Sequence, residues 1–385
     1  MTTEINEIAG SGGDGGDGER STGILPSQSL REMMEAGREI SLGAPLDPDQ
    51  IQPASLDLRL GPIAYRVRAS FLPGRNSTVE QKLERYAMYT LDLTKGAVFE
   101  RNCVYIVPLL ESLALRKRMS AIANPKSSTG RLDLFSRLLT DNGPEFDRVR
   151  EGYRGPLYAE ISPRAFAVKV REGTRLMQLR IRRGSPQPSD AELKRLHEAV
   201  SLVDGPEIGE ADIKNGLAFT VDLTGAAWGG VVGYRAKRHA ALIELDRINH
   251  YDPVDFWEPV HAREDGIVLD PQDFYILASK EAVVVPPDYA AEMLPYDTLV
   301  GEFRVHYAGF FDPGFGWAET GGSGSRAVLE VRSHEVPFLI EDGQIVGRLI
   351  YERLTGRPDK LYGTPIGSSY QRQGLTLGKQ FKRPG

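Results

Sequence analysis

Cysteine is almost absent from this chain of 385 residues, and Cys103 is its only one. That excludes an internal disulfide and fits a reducing compartment. Histidine is scarce too: His197, His239, His250, His261, His306 and His334 lie scattered, with no HxH or HxxxH pair to hold a metal. No stretch approaches the roughly 18 uncharged apolar residues of a membrane span. The start, Met1-Thr2-Thr3-Glu4, lacks the basic-then-apolar pattern of a signal peptide, so a cytoplasmic protein is expected. Net charge is −6, which gives no broad attraction to nucleic acid; a polyanion must be met by a local basic cluster.

What is present is β texture. With 25 prolines and 41 glycines, long helices throughout are excluded. Short alternating runs, Ser55–Leu60 and Val104–Val107 among them, read as strands. Gly10 to Gly18 is a Gly/Asp run with nothing to bury, predicting a disordered tail over 1–22. Ser27 predicts the N-cap of a short helix to Glu35, and Asp190 to Leu202 a helical connector.

The second half echoes the first. Ser55-Leu56-Asp57-Leu58 returns as Thr220-Val221-Asp222-Leu223, and Val104-Tyr105-Ile106-Val107 as Phe274-Tyr275-Ile276-Leu277. Tyr158-Ala159-Glu160-Ile161 returns as Val328-Leu329-Glu330-Val331. A tandem duplication of one antiparallel β-barrel or sandwich follows, with boundaries 23–205 and 206–355 and a C-terminal tail 356–385.

Two stretches carry chemistry. Lys126-Ser127-Ser128-Thr129-Gly130-Arg131 sets two cations around hydroxyls and a glycine, which suits phosphate oxygens, although a merely polar turn reads equally well. It lacks the order of a Walker loop. Glu330, on an apolar strand after Phe311-Asp312-Pro313-Gly314-Phe315, should be partly desolvated and suited to moving protons; Glu160 holds the matching place in the first half. A zinc-dependent nucleobase deaminase needs a His or Cys plus two further cysteines, which one cysteine cannot supply.

Together, QPASLDLRLG (Gln52–Gly61), the KSSTGR loop, FDPGF with AVLE, and the tail SSYQRQG (Ser368–Gly374) resemble bacterial dCTP deaminase. The resemblance covers nearly the whole chain in two copies. It implies a mainly β, dUTPase-like fold that forms oligomers, and conversion of dCTP to dUTP without protein-bound zinc. Magnesium would arrive with the triphosphate, and dTTP would be an inhibitor. Ser127 and Arg131 would hold the attacking water and base, Lys126 and Ser128 would bind phosphates, and Thr129 and Gly130 belong to the same substrate-binding loop. Ala308, Asp312, Val328, Leu329 and Glu330 would form the base and sugar pocket, and Tyr362 and Gln373 would close over the nucleotide.

The halves keep different parts. The first has the loop, but Arg150 stands where the family has the acid of the D-P-G-aromatic turn. Counted back from Asp312, the second half's loop positions fall on Leu294, Pro295, Tyr296 and Leu299, none of which replaces serine or arginine. A composite site is therefore expected, with the loop from a first-type domain and Asp312 and Glu330 from a second. Whether one chain supplies both, and whether Glu330 or Glu160 is catalytic, stays open. Two other readings are a bifunctional enzyme yielding dUMP and a nucleotide-responsive regulator on a decayed enzyme fold.

Overall fold

The computed structural model describes residues 20–204, 211–295, 303–305, 309–320, 322–333, 335–363 and 374–383. Residues 1–19, Ala308 and Gln373 fall outside that set. The described chain is mainly β, as the sequence implies. Its helices are few and short. Ser27–Glu35 begins one residue earlier than expected, after Pro26 rather than Ser27. Asp190–Val200 is the connector; Ser189 and Glu192 close a capping box at its start, satisfying donors that the first turn leaves open.

Each half builds one large sheet and one small one. In the first, the strands run Ala87–Asp92, Ile63–Val67, Val104–Ala114, Arg154–Pro163, Leu134–Thr140. In the second, Trp257–His261, Val231–Ala236, Phe274–Val283, Ser325–Ser333 and Phe303–Val305 repeat that order. The smaller sheets pair Met119–Pro125 with Arg175–Arg183, and Tyr289–Pro295 with Ile345–Arg353. A three-stranded sheet mixes the halves: Val168–Val170 lies between Ala97–Phe99 and Ile243–Glu244.

The repeat is visible in register. Glu160 sits opposite Ile106 and Glu330 opposite Ile276. Tyr105 and Tyr275 each accept, at 3.0 Å, a backbone hydrogen bond from the residue five positions earlier. One echo is corrected. Leu56–Arg59 corresponds to Leu217–Thr220, not to residues 220–223, because both segments pair with the matching part of the long strand. Both also end on a buried-side carboxylate, Glu111 accepting from Arg59 N and Glu281 from Thr220 N. Asp222 instead pairs with Arg326.

The strand Arg175–Arg183 is buried on both faces. Met177, Leu179 and Ile181 enter the first core, while Arg180 and Arg182 face the second half. Arg180 is fully buried and donates to the carbonyl of Ala291 at 3.0 Å; its guanidinium lies over the ring of Phe310 at 3.9 Å. Arg182 meets Glu292 at 3.3 Å and Glu352 at 2.8 Å, and Asn124 donates to Glu292 at 3.0 Å. This ionic seam fixes the two halves against each other and brings their strand ends to one cleft.

Candidate active site

The strand Met119–Pro125 ends at a proline, and the chain turns at once into a single helical turn, Ser127–Gly130. The backbone N–H of Lys126 donates to Leu176 at 2.9 Å, which anchors the turn beside the strand Arg175–Arg183. Thr129, Gly130 and Arg131 are buried, whereas Lys126, Ser127 and Ser128 keep access to the cleft. Arg131 donates to the carbonyl of Thr376 at 3.0 Å, so the C-terminal segment helps aim it.

The opposite wall comes from the second half. Glu330 lies in the middle of Ser325–Ser333, where Val331 and Leu329 point into the core and Glu330 points back into the cleft. Burial raises its carboxyl pKa to about 8, against the opposing pull of the Arg131 charge. Asp312 follows the short strand Phe310–Phe311, and its carboxylate lies 3.4 Å from Arg180. Burial pushes Asp312 up from the ordinary carboxylate value and Arg180 pulls it down, with burial the larger effect. Tyr362 is tied by its backbone N–H to Pro313 at 2.8 Å, and its ring lies 5.6 Å from that of Phe315.

These walls enclose a cleft of about 1180 Å³. Of the residues expected from sequence, Lys126 through Arg131, Asp312, Val328, Glu330 and Tyr362 line it. Leu329 belongs to the core instead, as strand alternation requires. Ala308 and Gln373 lie outside the described residues.

Glu160 is not in this cleft. Its carboxylate is buried and takes an ion pair from Arg137, which also donates to Ser70 at 3.0 Å. The Arg137 guanidinium is stacked 3.5 Å from the centre of the Phe146 ring and 4.7 Å from that of Phe135. The space in front of Glu160 is thus filled by side chains of its own half. Phe146 lies in the segment Asn142–Asp147, just before the strand Arg148–Val149.

Sequence reading missed several cleft residues: Asp57, Arg175, Lys360 and Lys379. Asp57 stands inside the Gln52–Gly61 motif but had no role read for it, the other three are single charges in unremarkable stretches, and only the fold gathers them. Arg150, which replaces the acid in the first half, is exposed. By strand register the second half's counterpart of Lys126 is Tyr296, two places from the ungapped count of Leu294, since Pro125 pairs with Met177 as Pro295 pairs with Gly347. Residues 296–300 lie outside the described set, and their sequence, YDTLV, contains no serine or arginine. Among the described residues no group of three or more His, Cys, Asp or Glu side chains is arranged to hold a metal ion. No helix among them is long and apolar enough to cross a membrane.

A two-wall cleft with hydroxyls and cations on one side and a buried carboxyl of raised pKa on the other suits a phosphorylated ligand that takes up and releases protons. Comparison with known families gives that class a name. Residues 21–185 match the N-terminal domain of 2'-deoxycytidine 5'-triphosphate deaminase and residues 189–381 match its C-terminal domain. The chain belongs to this family. A solved structure of 2'-deoxycytidine 5'-triphosphate deaminase from Agrobacterium tumefaciens is 55% identical and superposes with a TM-score of 0.83, covering 88% of this chain and 100% of that one. A dCTP deaminase, dUMP-forming, of Halobacterium salinarum is 34% identical over 131 residues, 32% of this chain and 63% of the relative. Its counterpart in Streptomyces coelicolor is 30% identical over 159 residues, 39% of this chain and 80% of the relative.

Proposed function

We propose that this chain hydrolytically deaminates dCTP to dUTP and ammonia, in a composite cleft whose loop comes from the first half and whose carboxyl comes from the second. The observation that carries the reading is the pairing, across one cleft, of the Lys126–Arg131 loop with a buried Glu330 whose carboxyl pKa is raised by burial. The loop would take the triphosphate with its magnesium, which enters as part of the substrate. Asp312 would meet the sugar.

Glu330 is suited to begin as the acid. It gives its proton to N3 of cytosine, which makes C4 electrophilic. The resulting carboxylate takes a proton from the attacking water, held by Ser127 and Arg131, as oxygen bonds to C4. That proton passes to the amino nitrogen, the C4–N bond breaks and ammonia leaves. The remaining hydroxyl proton returns to Glu330, which restores the acid. Proton transfer of this kind supplies on the order of 10²–10⁴-fold, and orientation and the Arg131 charge supply the rest. No zinc is needed in this scheme. Cytoplasmic location, assembly into a homo-oligomer and inhibition by dTTP belong to the same proposal.

Ammonia release from dCTP with magnesium tests it. Wild type should release ammonia, and Glu330→Gln should lose turnover while still binding dCTP. A second reading, in which dUTP is carried on to dUMP and pyrophosphate, is favoured by the names of the curated relatives. Product analysis separates the two: dUTP supports the first, dUMP with pyrophosphate the second.

A further inference from the structure

The turn that carries Arg131 ends on Asp133. Its backbone N–H donates to the carbonyl of Gly130 at 2.8 Å, and its carbonyl accepts from the Arg164 N–H at 3.0 Å. With φ at 51°, Asp133 takes the left-handed conformation that swings the chain out of the turn and into the strand Leu134–Thr140. Its side chain is buried and is not part of the cleft lining. The carboxylate instead takes an ion pair from Arg332 of the second half. Arg332 stands two places after Glu330 in the strand Ser325–Ser333, on the same face, since Leu329 and Val331 fill the other. Its guanidinium also donates to the carbonyl of Gln272, in the turn before the neighbouring strand Phe274–Val283, so it is held from two sides.

Arg131 and Glu330 thus share one cleft, while the residues two places beyond each of them are joined outside it. The charges are crossed, cation then anion on the loop and carboxyl then cation on the strand. Burying two ions costs solvation, and apolar side chains in their place are often as stable. What such a pair does enforce is one arrangement, because either charge left alone in the interior is heavily penalised. Arg180 and Arg182 already tie the halves together, through Asp312 and Glu352. The Asp133–Arg332 pair adds a fixed register between the loop and the strand that carry the chemistry. We infer that Asp133 and Arg332 are positioning residues acting as one unit, which set Arg131 against Glu330 and touch no substrate themselves. What the cleft does rests on the proposed deamination, which this role deepens. A misplacement of about 1 Å can cost on the order of 10²-fold in rate, so the effect of the pair belongs in turnover rather than in binding.

The test uses the full-length protein with Asp133→Asn, Arg332→Gln and the two combined. Asparagine tolerates the left-handed backbone, so Asp133→Asn removes the charge without straining the turn. In ammonia release from dCTP, each single variant should lower kcat by about tenfold or more with KM within a few-fold. The double variant should be no slower than the slower single, since the two act as one unit. Arg332→Lys keeps the charge and should restore most of kcat. The pH at which Glu330 ionises gives a second readout, independent of turnover. It is taken from the part of the pH dependence of the urea midpoint that disappears when Glu330→Gln is added to the same background. In wild type that part should level off near pH 8. The Arg131 charge pulls the Glu330 pKa down, so loosening Arg131 should move the levelling-off to higher pH in both single variants. Loss of a nearby charge alone would move it in opposite directions, upward without Arg332 and downward without Asp133. Opposite shifts, or kcat at the wild-type value in both single variants, would overturn the positioning role. A wild type that releases no ammonia, with the upward shift still present in both variants, would keep that role and sink the deaminase reading instead.

Discussion

Glu160 and Glu330 occupy the same register position in matching strands, one opposite Ile106 and the other opposite Ile276, yet only Glu330 opens onto the cleft. Arg137 and Phe146 cover the first; Arg131 lines the same cleft as the second and its charge acts on it. Glu330→Gln should therefore lower kcat on the order of 10²–10⁴-fold. Glu160→Gln should leave kcat within a few-fold and cost about 1–2 kcal/mol of stability, since Arg137 keeps a hydrogen-bond acceptor but loses its counter-charge. Steady-state ammonia release and urea unfolding read the two effects. Loss of turnover in Glu160→Gln with normal turnover in Glu330→Gln would reverse the assignment.

A buried carboxyl with a raised pKa leaves a signature in pH. Burial holds the Glu330 pKa at about 8 in the folded protein, against an ordinary glutamate value of 4.5 when unfolded. Its contribution to stability is complete below 4.5 and is lost as pH rises through about 8. Wild type should lose stability across that window more steeply than Glu330→Gln, as measured by urea midpoints at several pH values. If Glu330 is the initiating acid, kcat/KM should fall above about pH 8.

The ionic seam makes a prediction for the pair Arg182 and Glu352, which stand at matching positions of the two repeats with opposite signs. Arg182→Ala leaves Glu352 and Glu292 with only Arg180, 3.9 Å from Glu352, to offset their charges and should destabilise by roughly 3 kcal/mol. The double variant with Glu352→Ala should recover part of that loss, and a double-mutant cycle in urea measures the coupling. Strictly additive effects would show that the two side chains do not act as a pair.

Phe381 holds the C-terminal segment in an aromatic cluster, its ring 5.4 Å from Phe256 and 5.8 Å from Trp257. Phe381→Ala should cost roughly 3 kcal/mol as a large-to-small core change. At temperatures where the variant stays folded, kcat should still drop several-fold, because Thr376 no longer offers Arg131 a fixed carbonyl. Unchanged kcat in the folded variant would show that Arg131 is aimed by the first half alone.

The mainly β fold and the Lys126–Arg131 loop were legible in the sequence because both are local. Alternation marks strands, and the loop's donors and cations are contiguous. Register was less legible: the LDL of residues 56–58 and the VDL of 221–223 look alike, but the long strand of each half pairs with Leu56 and Leu217. Alternating segments tolerate such slips on paper, while a buried face forbids them in the protein. The choice between Glu160 and Glu330 was beyond reach for another reason. It is made by Arg137 and Phe146, whose approach to Glu160 depends on strand pairing and on the loop that carries Phe146. Arg175, Lys379 and Arg180 were invisible because each is one charge whose partners lie dozens to hundreds of residues away.

The shielding of Glu160 also bears on how the enzyme would respond to substrate concentration. Of the two matching glutamates only Glu330 lines the cleft, so an isolated chain that binds one dCTP there would give a hyperbolic saturation curve. Sigmoidal dependence on dCTP would then have to arise between chains, and diluting the protein would abolish it.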